Sequence, residues 1–287
     1  MRPSARVLDL FAVPDAVQAL PGGHGRSVRA GDLVLSPDRD AATQDWLSPL
    51  VARFAVQLDQ DPTRRRQDLR VAVPVPARDG SWVVEGWAAS RYEPGTVTCR
   101  DLEVTRAAGH LLHARLATIV GERPAQLATR SDRRAVAERV AFDEAPVPAL
   151  DPDVADLVAR ARALVPAPAG DRPATGGEAP LGPAQLVHAE LAGNVLLDPA
   201  GAPVVIDLAP AWRPARWADA VCVLDAVLRQ EAPHTVLHRW AHGPDRVAMV
   251  RAIVFRLLCA DRPAVDAWAK VLASLAGDEA RGHGGKG

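Results

Sequence analysis

Lysine is almost missing from this chain: Lys270 and Lys286 are its only two, so no ammonium side chain stands anywhere before position 270. Chemistry that needs a lysine in the N-terminal half is thereby excluded, and arginine must supply positive charge there with a planar fork of different geometry. Cysteine is also scarce. Cys99, Cys222 and Cys259 are widely spaced and form no Cys-x-x-Cys pair, which excludes a zinc-ribbon or disulfide framework and fits a reduced, cytoplasmic setting. Uninterrupted apolar runs reaching the ~20 residues that cross a bilayer are lacking, so no membrane association is expected. The apolar N-terminus is broken by Asp9, Pro14 and Asp15, which argues against a signal peptide. Net charge is -1, leaving no global field to recruit nucleic acid or an anionic membrane. The Arg64-Arg65-Arg66 run has no interleaved aromatics, so it reads as a solvated loop and no nucleic-acid partner is expected.

What is present suffices for a substantial core: 287 residues with 48% hydrophobic content allow one large domain or two lobes. After an irregular or helical start over Val7–Leu20, Pro21–Ser27 reads as a compact glycine-rich turn before the apolar stretch Asp32–Leu35. Gly22, Gly23 and Gly25 would let the backbone approach a phosphate, and Ser27 could add a donor, although an ordinary hairpin explains the same residues. Spacing predicts a helix over Asp40–Gln57 with no glutamate on it. Leu69–Val75 and Ser81–Trp87 read as strands about the Ala77–Gly80 turn, and Ala88–Gly95 as a connector. Helices follow over Asp101–Val120, Asp132–Phe142 and Asp153–Leu164. Val165–Pro183, rich in Pro, Ala and Gly, reads as a linker, and closing helices are predicted over 217–229, 246–259 and 264–275. His110 with His113, and His234 with His238 and His242, have spacings that would share a helix face, but neither set brings a recognisable further ligand.

The most informative stretch is Leu186–Leu208. It gathers His188, Glu190, Asn194 and Asp207 around a strand, the Asp198-Pro199-Ala200-Gly201 turn, and a second strand Pro203–Ile206. An Asn carbonyl and an Asp carboxylate are hard oxygen donors suited to Mg²⁺, and a further carboxylate can orient or deprotonate a hydroxyl. Kinase-type phosphoryl transfer uses such a set.

This segment resembles the catalytic and metal loops of the aminoglycoside phosphotransferase and choline kinase branch of the protein-kinase-like fold. Those proteins carry a His-Gly-Asp, an Asn shortly after, and a strand ending in Ile-Asp. The loop ending Gly-Asn-Val-Leu and the later Pro-Ala-Trp-Arg-Pro look closer still to a group of uncharacterised actinobacterial members. The resemblance implies an α+β, two-lobed fold with a small antiparallel N-terminal sheet over 1–90, a mainly helical lobe over 91–276, and a disordered tail over 277–287. It implies ATP or GTP and Mg²⁺ as cofactors and a small-molecule acceptor hydroxyl. Glu190 would position or deprotonate that hydroxyl, His188 would brace the loop, Asn194 and Asp207 would hold Mg²⁺, and Gly22, Gly23, Gly25 and Ser27 would cover the phosphates.

Three departures are visible. Glu190 stands where the family has Asp, and Asn194 follows it by four residues instead of the usual five. Ser36 occupies the place of the phosphate-pairing lysine, with Arg29 and Arg39 the nearby cations. A phosphotransferase-like protein is therefore one reading; the alternative is a catalytically weak or inactive kinase-like protein that binds a nucleotide, metabolite or protein partner.

Overall fold

The computed structural model describes residues 1–20, 26–63, 65, 68–165 and 181–276. Two compact units make up the chain, one from Met1–Ala108 with Gly193–Leu208 and the other from the described residues of Gly109–Ala192 and Ala209–Gly287. The architecture is α+β, with sheets in the first unit and mainly helices in the second. Gly193–Leu208 supplies two strands to a sheet whose other members precede residue 100.

In the first unit, helix α1 (Ala5–Leu10) is capped by Ser4, whose hydroxyl accepts from the Val7 N–H. A five-stranded antiparallel sheet follows in the order β1 (Val17–Ala19), β2 (Val28–Ala30), β3 (Leu33–Ser36), β6 (Ala88–Arg91), β5 (Pro74–Val75). Alternation in β2 and β3 buries Val28, Ala30, Leu33 and Leu35, which join Val7, Phe11 and Trp87 in one core. Helix α2 (Ala41–Gln60) begins at Asp40, whose carboxylate caps the Thr43 N–H at 2.8 Å, and packs on β5 and on β4 (Arg70–Val71). A second, four-stranded sheet runs β4, β10 (Pro203–Val205), β9 (Val195–Leu197), β7 (Val97–Thr98), with the β4–β10 pair parallel.

One strand lies later than the periodicity predicts. Val84 and Trp87 exchange both backbone hydrogen bonds across Glu85 and Gly86, whose φ values are +50° and +78°. Positive φ at both central residues is the two-residue hairpin geometry that matches strand twist. Chain reversal at Glu85-Gly86 ends the run and makes Ala88–Arg91 the strand. The Ala77–Ser81 turn also forms, with Ala77 donating to the Ser81 carbonyl at 2.8 Å.

In the second unit, α7 (Ala215–Arg229) buries the stretch Ala220–Val227 and α8 (Gly243–Cys259) the stretch Ala252–Leu258, the apolar runs of the two helices. Helices α5 (Arg133–Ala141) and α6 (Pro152–Ala163) pack on α8, and each starts at an Asp cap, Asp132 and Asp151. Trp217 lies fully buried, edge-on to Phe142 at 5.6 Å and to Phe255 at 5.2 Å. Strands β8 (Ala184–His188) and β11 (Pro210–Pro214) form a separate antiparallel ribbon. His234–Trp240 is a 3₁₀ helix and His242 lies beyond it, before α8, so the three histidines do not share an α-helical face. α3 (Leu102–Ile119) carries the chain from one unit into the other, and α9 (Val265–Ala276) closes the described chain.

Candidate functional site

The β9–β10 hairpin is built by its turn. The Asp198 carboxylate accepts from the Ala200 and Ala202 N–H groups at 2.8 and 2.9 Å, and Gly201 takes φ +82°. This register sets Val195 opposite Val205 and brings the Ile206 N–H to the Asn194 carbonyl at 2.9 Å. Asp207, the next residue, takes φ +51°, a conformation uncommon for a residue other than glycine and often found at functional sites.

Asn194 and Asp207 both line a cavity of about 470 Å³ inside the first unit. That volume lies within the ~300–1,000 Å³ of small-molecule sites. Its apolar walls include Val34, Val71, Ala89, Leu196 and Ile206, and Ser27 and Ser36 also face it, their hydroxyl oxygens 3.0 Å apart. Among the described residues, Arg39, Arg91, Glu93 and Asp207 are the charged ones that line it. Glu93 is held by Arg70 at 2.8 Å, and Asp207 by Arg39, Nη2 to Oδ1, at 2.5 Å. Arg39 is positioned by its own backbone, which donates to the Gly86 carbonyl at 2.9 Å. Arg29 is differently employed, donating to the Gly31 carbonyl and stacking 4.0 Å from the Tyr92 ring centre. Of the two cations nearest the missing lysine in sequence, Arg39 is therefore the one that faces the cavity. Gly22, Gly23 and Gly25 lie outside the described residues.

Glu190 and His188 belong to the second unit. His188 is fully buried, its Nδ1 accepting from the Glu190 N–H at 3.2 Å and the Ala209 N–H at 3.4 Å. Its own backbone N–H donates to Nε2 of His113 at 3.0 Å, so the two imidazoles tie the start of the loop to α3. Glu190 meets two guanidinium groups, Arg256 at 2.8 Å and Arg134 at 2.5 Å. Arg256, 3% exposed, also pairs with Asp225 and donates to the Ala189 carbonyl at 3.0 Å. Burial is the largest influence on Glu190 and opposes its ionisation, but Arg256 and then Arg134 together outweigh it and bring the carboxyl to about 2. Such a carboxylate is a weak base at neutral pH. Burial, helped by His188 and His110, holds His113 down to about 3.

The histidine pair on α3 is divided between different partners. His113 faces His188, whereas His110 lies 3.3 Å from Asp219. Among the described residues, no group of three or more His, Cys, Asp and Glu side chains converges as a metal site. Sequence spacing did not reveal Arg134 or Arg256 as partners of Glu190. The available signal was Arg256 itself, a lone charge inside the apolar run Ala252–Leu258.

Neither family models nor curated proteins match this chain. Solved structures do show a likeness in fold, at low identity. Choline kinase LicA from Streptococcus pneumoniae aligns over 95% of this chain and 97% of its own, at 13% identity and a TM-score of 0.46. An aminoglycoside phosphotransferase from Alicyclobacillus acidocaldarius aligns over 98% of both chains, at 13% identity and a TM-score of 0.47. A choline/ethanolamine kinase family protein from Mesorhizobium loti aligns over 98% of this chain and 94% of its own, at 17% identity and a TM-score of 0.41.

Proposed function

We propose that this protein is a kinase-like binding protein for a nucleotide or closely related phosphate-bearing small molecule, with phosphotransfer weak or lost. On this reading it is a divergent cytoplasmic member of the aminoglycoside phosphotransferase and choline kinase branch, beside the actinobacterial proteins that share its Gly-Asn-Val-Leu and Pro-Ala-Trp-Arg-Pro segments. The observation that carries the proposal is the capture of both key carboxylates by guanidinium groups, Glu190 by Arg256 and Arg134, and Asp207 by Arg39. A base held near 2 takes a hydroxyl proton poorly. Binding needs less than transfer does, and the 470 Å³ cavity, with apolar walls and two arginines, suits a planar base carrying phosphates.

Active phosphotransfer to a small-molecule hydroxyl is a second reading, favoured by Asn194 and Asp207 lining the same cavity. The donor set fits Mg²⁺ poorly. Asp207 is the carboxylate of that pair, and its Oδ1 is already engaged by Arg39, which makes a poor fit for a cation that leans on one or two full carboxylates. Thermal melting with ATP or GTP, each with and without Mg²⁺, checks the binding reading. A nucleotide at about 100 times its dissociation constant should stabilise the protein by about 2.7 kcal/mol. Absence of any shift with either nucleotide would sink it, and turnover of a hydroxyl acceptor by the unmodified chain at ordinary kinase rates would favour the second reading.

A further inference from the structure

We infer that Arg39 anchors the phosphates in this cavity in place of a divalent cation, so that the site takes a nucleotide as its metal-free anion; this rests on the nucleotide reading above. Asp207 is then a positioning residue that holds the guanidinium toward the cavity until phosphate replaces it. Arg39 lines the cavity, is fixed through its backbone to Gly86, and lies 2.5 Å from Asp207. With its side chain 21% exposed, it is accessible to a ligand yet partly withdrawn from solvent. A metal ion drawn to Asp207 must either displace that guanidinium or stand beside a like charge, and Mg²⁺ gives up its water reluctantly. An arginine faces no such obstacle, because its fork matches phosphate oxygens in two parallel hydrogen bonds.

The remaining charges on the cavity wall are consistent with an anionic ligand. Glu93 is occupied by Arg70, while Arg91 adds a second positive group. The lack of any lysine before position 270 leaves arginine as the available N-terminal anchor. Asp207 thus plays two opposed parts: it orients Arg39 and competes with phosphate for the same N–H groups. Removing its charge while keeping its shape should favour the anion. Asparagine is the suitable substitute because it tolerates the left-handed backbone at this position.

Calorimetric titration of the full chain with ATP and with adenosine, in EDTA and in Mg²⁺, tests the inference. Wild-type protein should bind ATP in EDTA within about threefold of its affinity in Mg²⁺, a difference under 1 kcal/mol. Arg39→Ala should weaken ATP about tenfold or more while leaving adenosine unchanged, as expected for loss of a charge-assisted contact to phosphate. Arg39→Lys, which keeps the charge without the fork, should lie between the two. Asp207→Asn should bind ATP as tightly as wild type or roughly threefold to tenfold more tightly. ATP binding that requires Mg²⁺ and disappears in Asp207→Asn would overturn the metal-free mode and leave the nucleotide reading intact. An equal loss of adenosine and ATP in Arg39→Ala would overturn the anchor role. No binding of either compound in either buffer would overturn both readings.

Discussion

Arg256 joins two carboxylates and a backbone carbonyl inside the second unit. It reaches Asp225, Glu190 and the Ala189 carbonyl, and it is almost completely withdrawn from water. A buried cation in such a position is stable only while its partners remain, and removing one member leaves the others desolvated with fewer partners. Arg256→Ala should therefore cost about 3–5 kcal/mol in urea unfolding. Glu190→Gln should cost less, about 1–3 kcal/mol, because Asp225 still answers the guanidinium. The two substitutions combined should cost clearly less than their sum, since each removes the partner that the other strands. Glu190→Asp, though it restores the family's residue type, withdraws the carboxylate by one methylene from both arginines and should lower stability without raising transfer. The position of Glu190 was legible from its distance to His188 and Asn194, but its partners were not. Arg134 and Arg256 lie far from it in sequence, and no local spacing encodes an ion pair closed by tertiary packing. The Arg39–Asp207 pair was hidden for the same reason, although Arg39 was among the cations that the missing lysine drew attention to.

Elements with chemical punctuation were readable in advance. The helices begin at Asp40, Asp132 and Asp151 because a short carboxylate can cap free N–H groups there, and the β9–β10 hairpin turns at Asp198–Gly201 for a related reason. Reversal at Glu85-Gly86 was missed because Glu85 is an unusual residue for positive φ, so the run through Trp87 read as one strand. That turn also sets the cavity, since the Gly86 carbonyl receives the Arg39 N–H. A Cβ at Gly86 would meet no atom within 4 Å, so substitution there acts through the backbone alone. Gly86→Ala should cost about 1–2 kcal/mol from the left-handed conformation, and Gly86→Asn clearly less. Chemical denaturation orders the three proteins. Equal stability of the alanine and asparagine variants would show that the loop relaxes out of positive φ, in which case Arg39 should also be displaced and ATP binding should fall in both.

At the scale of the whole molecule, two buried groups give stability the same dependence on acid. His113 is held near 3 against an ordinary 6.5, with burial the first cause, so below pH 6.5 the unfolded chain binds a proton that the native protein refuses. Stability from this source is complete above pH 6.5 and declines down to about pH 3. Its Nε2 accepts from His188, which leaves the proton on Nδ1, a buried atom with no hydrogen-bond partner among the described residues. Protonation would therefore break the His188 contact as well as place a charge in the core. Glu190 works through a lower window: with its carboxyl near 2, its ion pairs contribute fully above about 4.5 and are lost as pH falls through 2. Between pH 6.5 and 5 the histidine acts alone of the two, and its expected effect is about 2 kcal/mol. Denaturation midpoints followed from pH 7.5 to 4 should fall steadily, with the slope beginning near 6.5. His113→Gln, which can keep an acceptor for the His188 N–H but cannot titrate, should lower stability at pH 7 and flatten the decline between 6.5 and 5. An unchanged slope in that variant would assign the acid sensitivity to another group. Hydrogen exchange should place the first acid-induced opening around His188 and Ala209, because both are tied into the network that protonation of His113 disrupts.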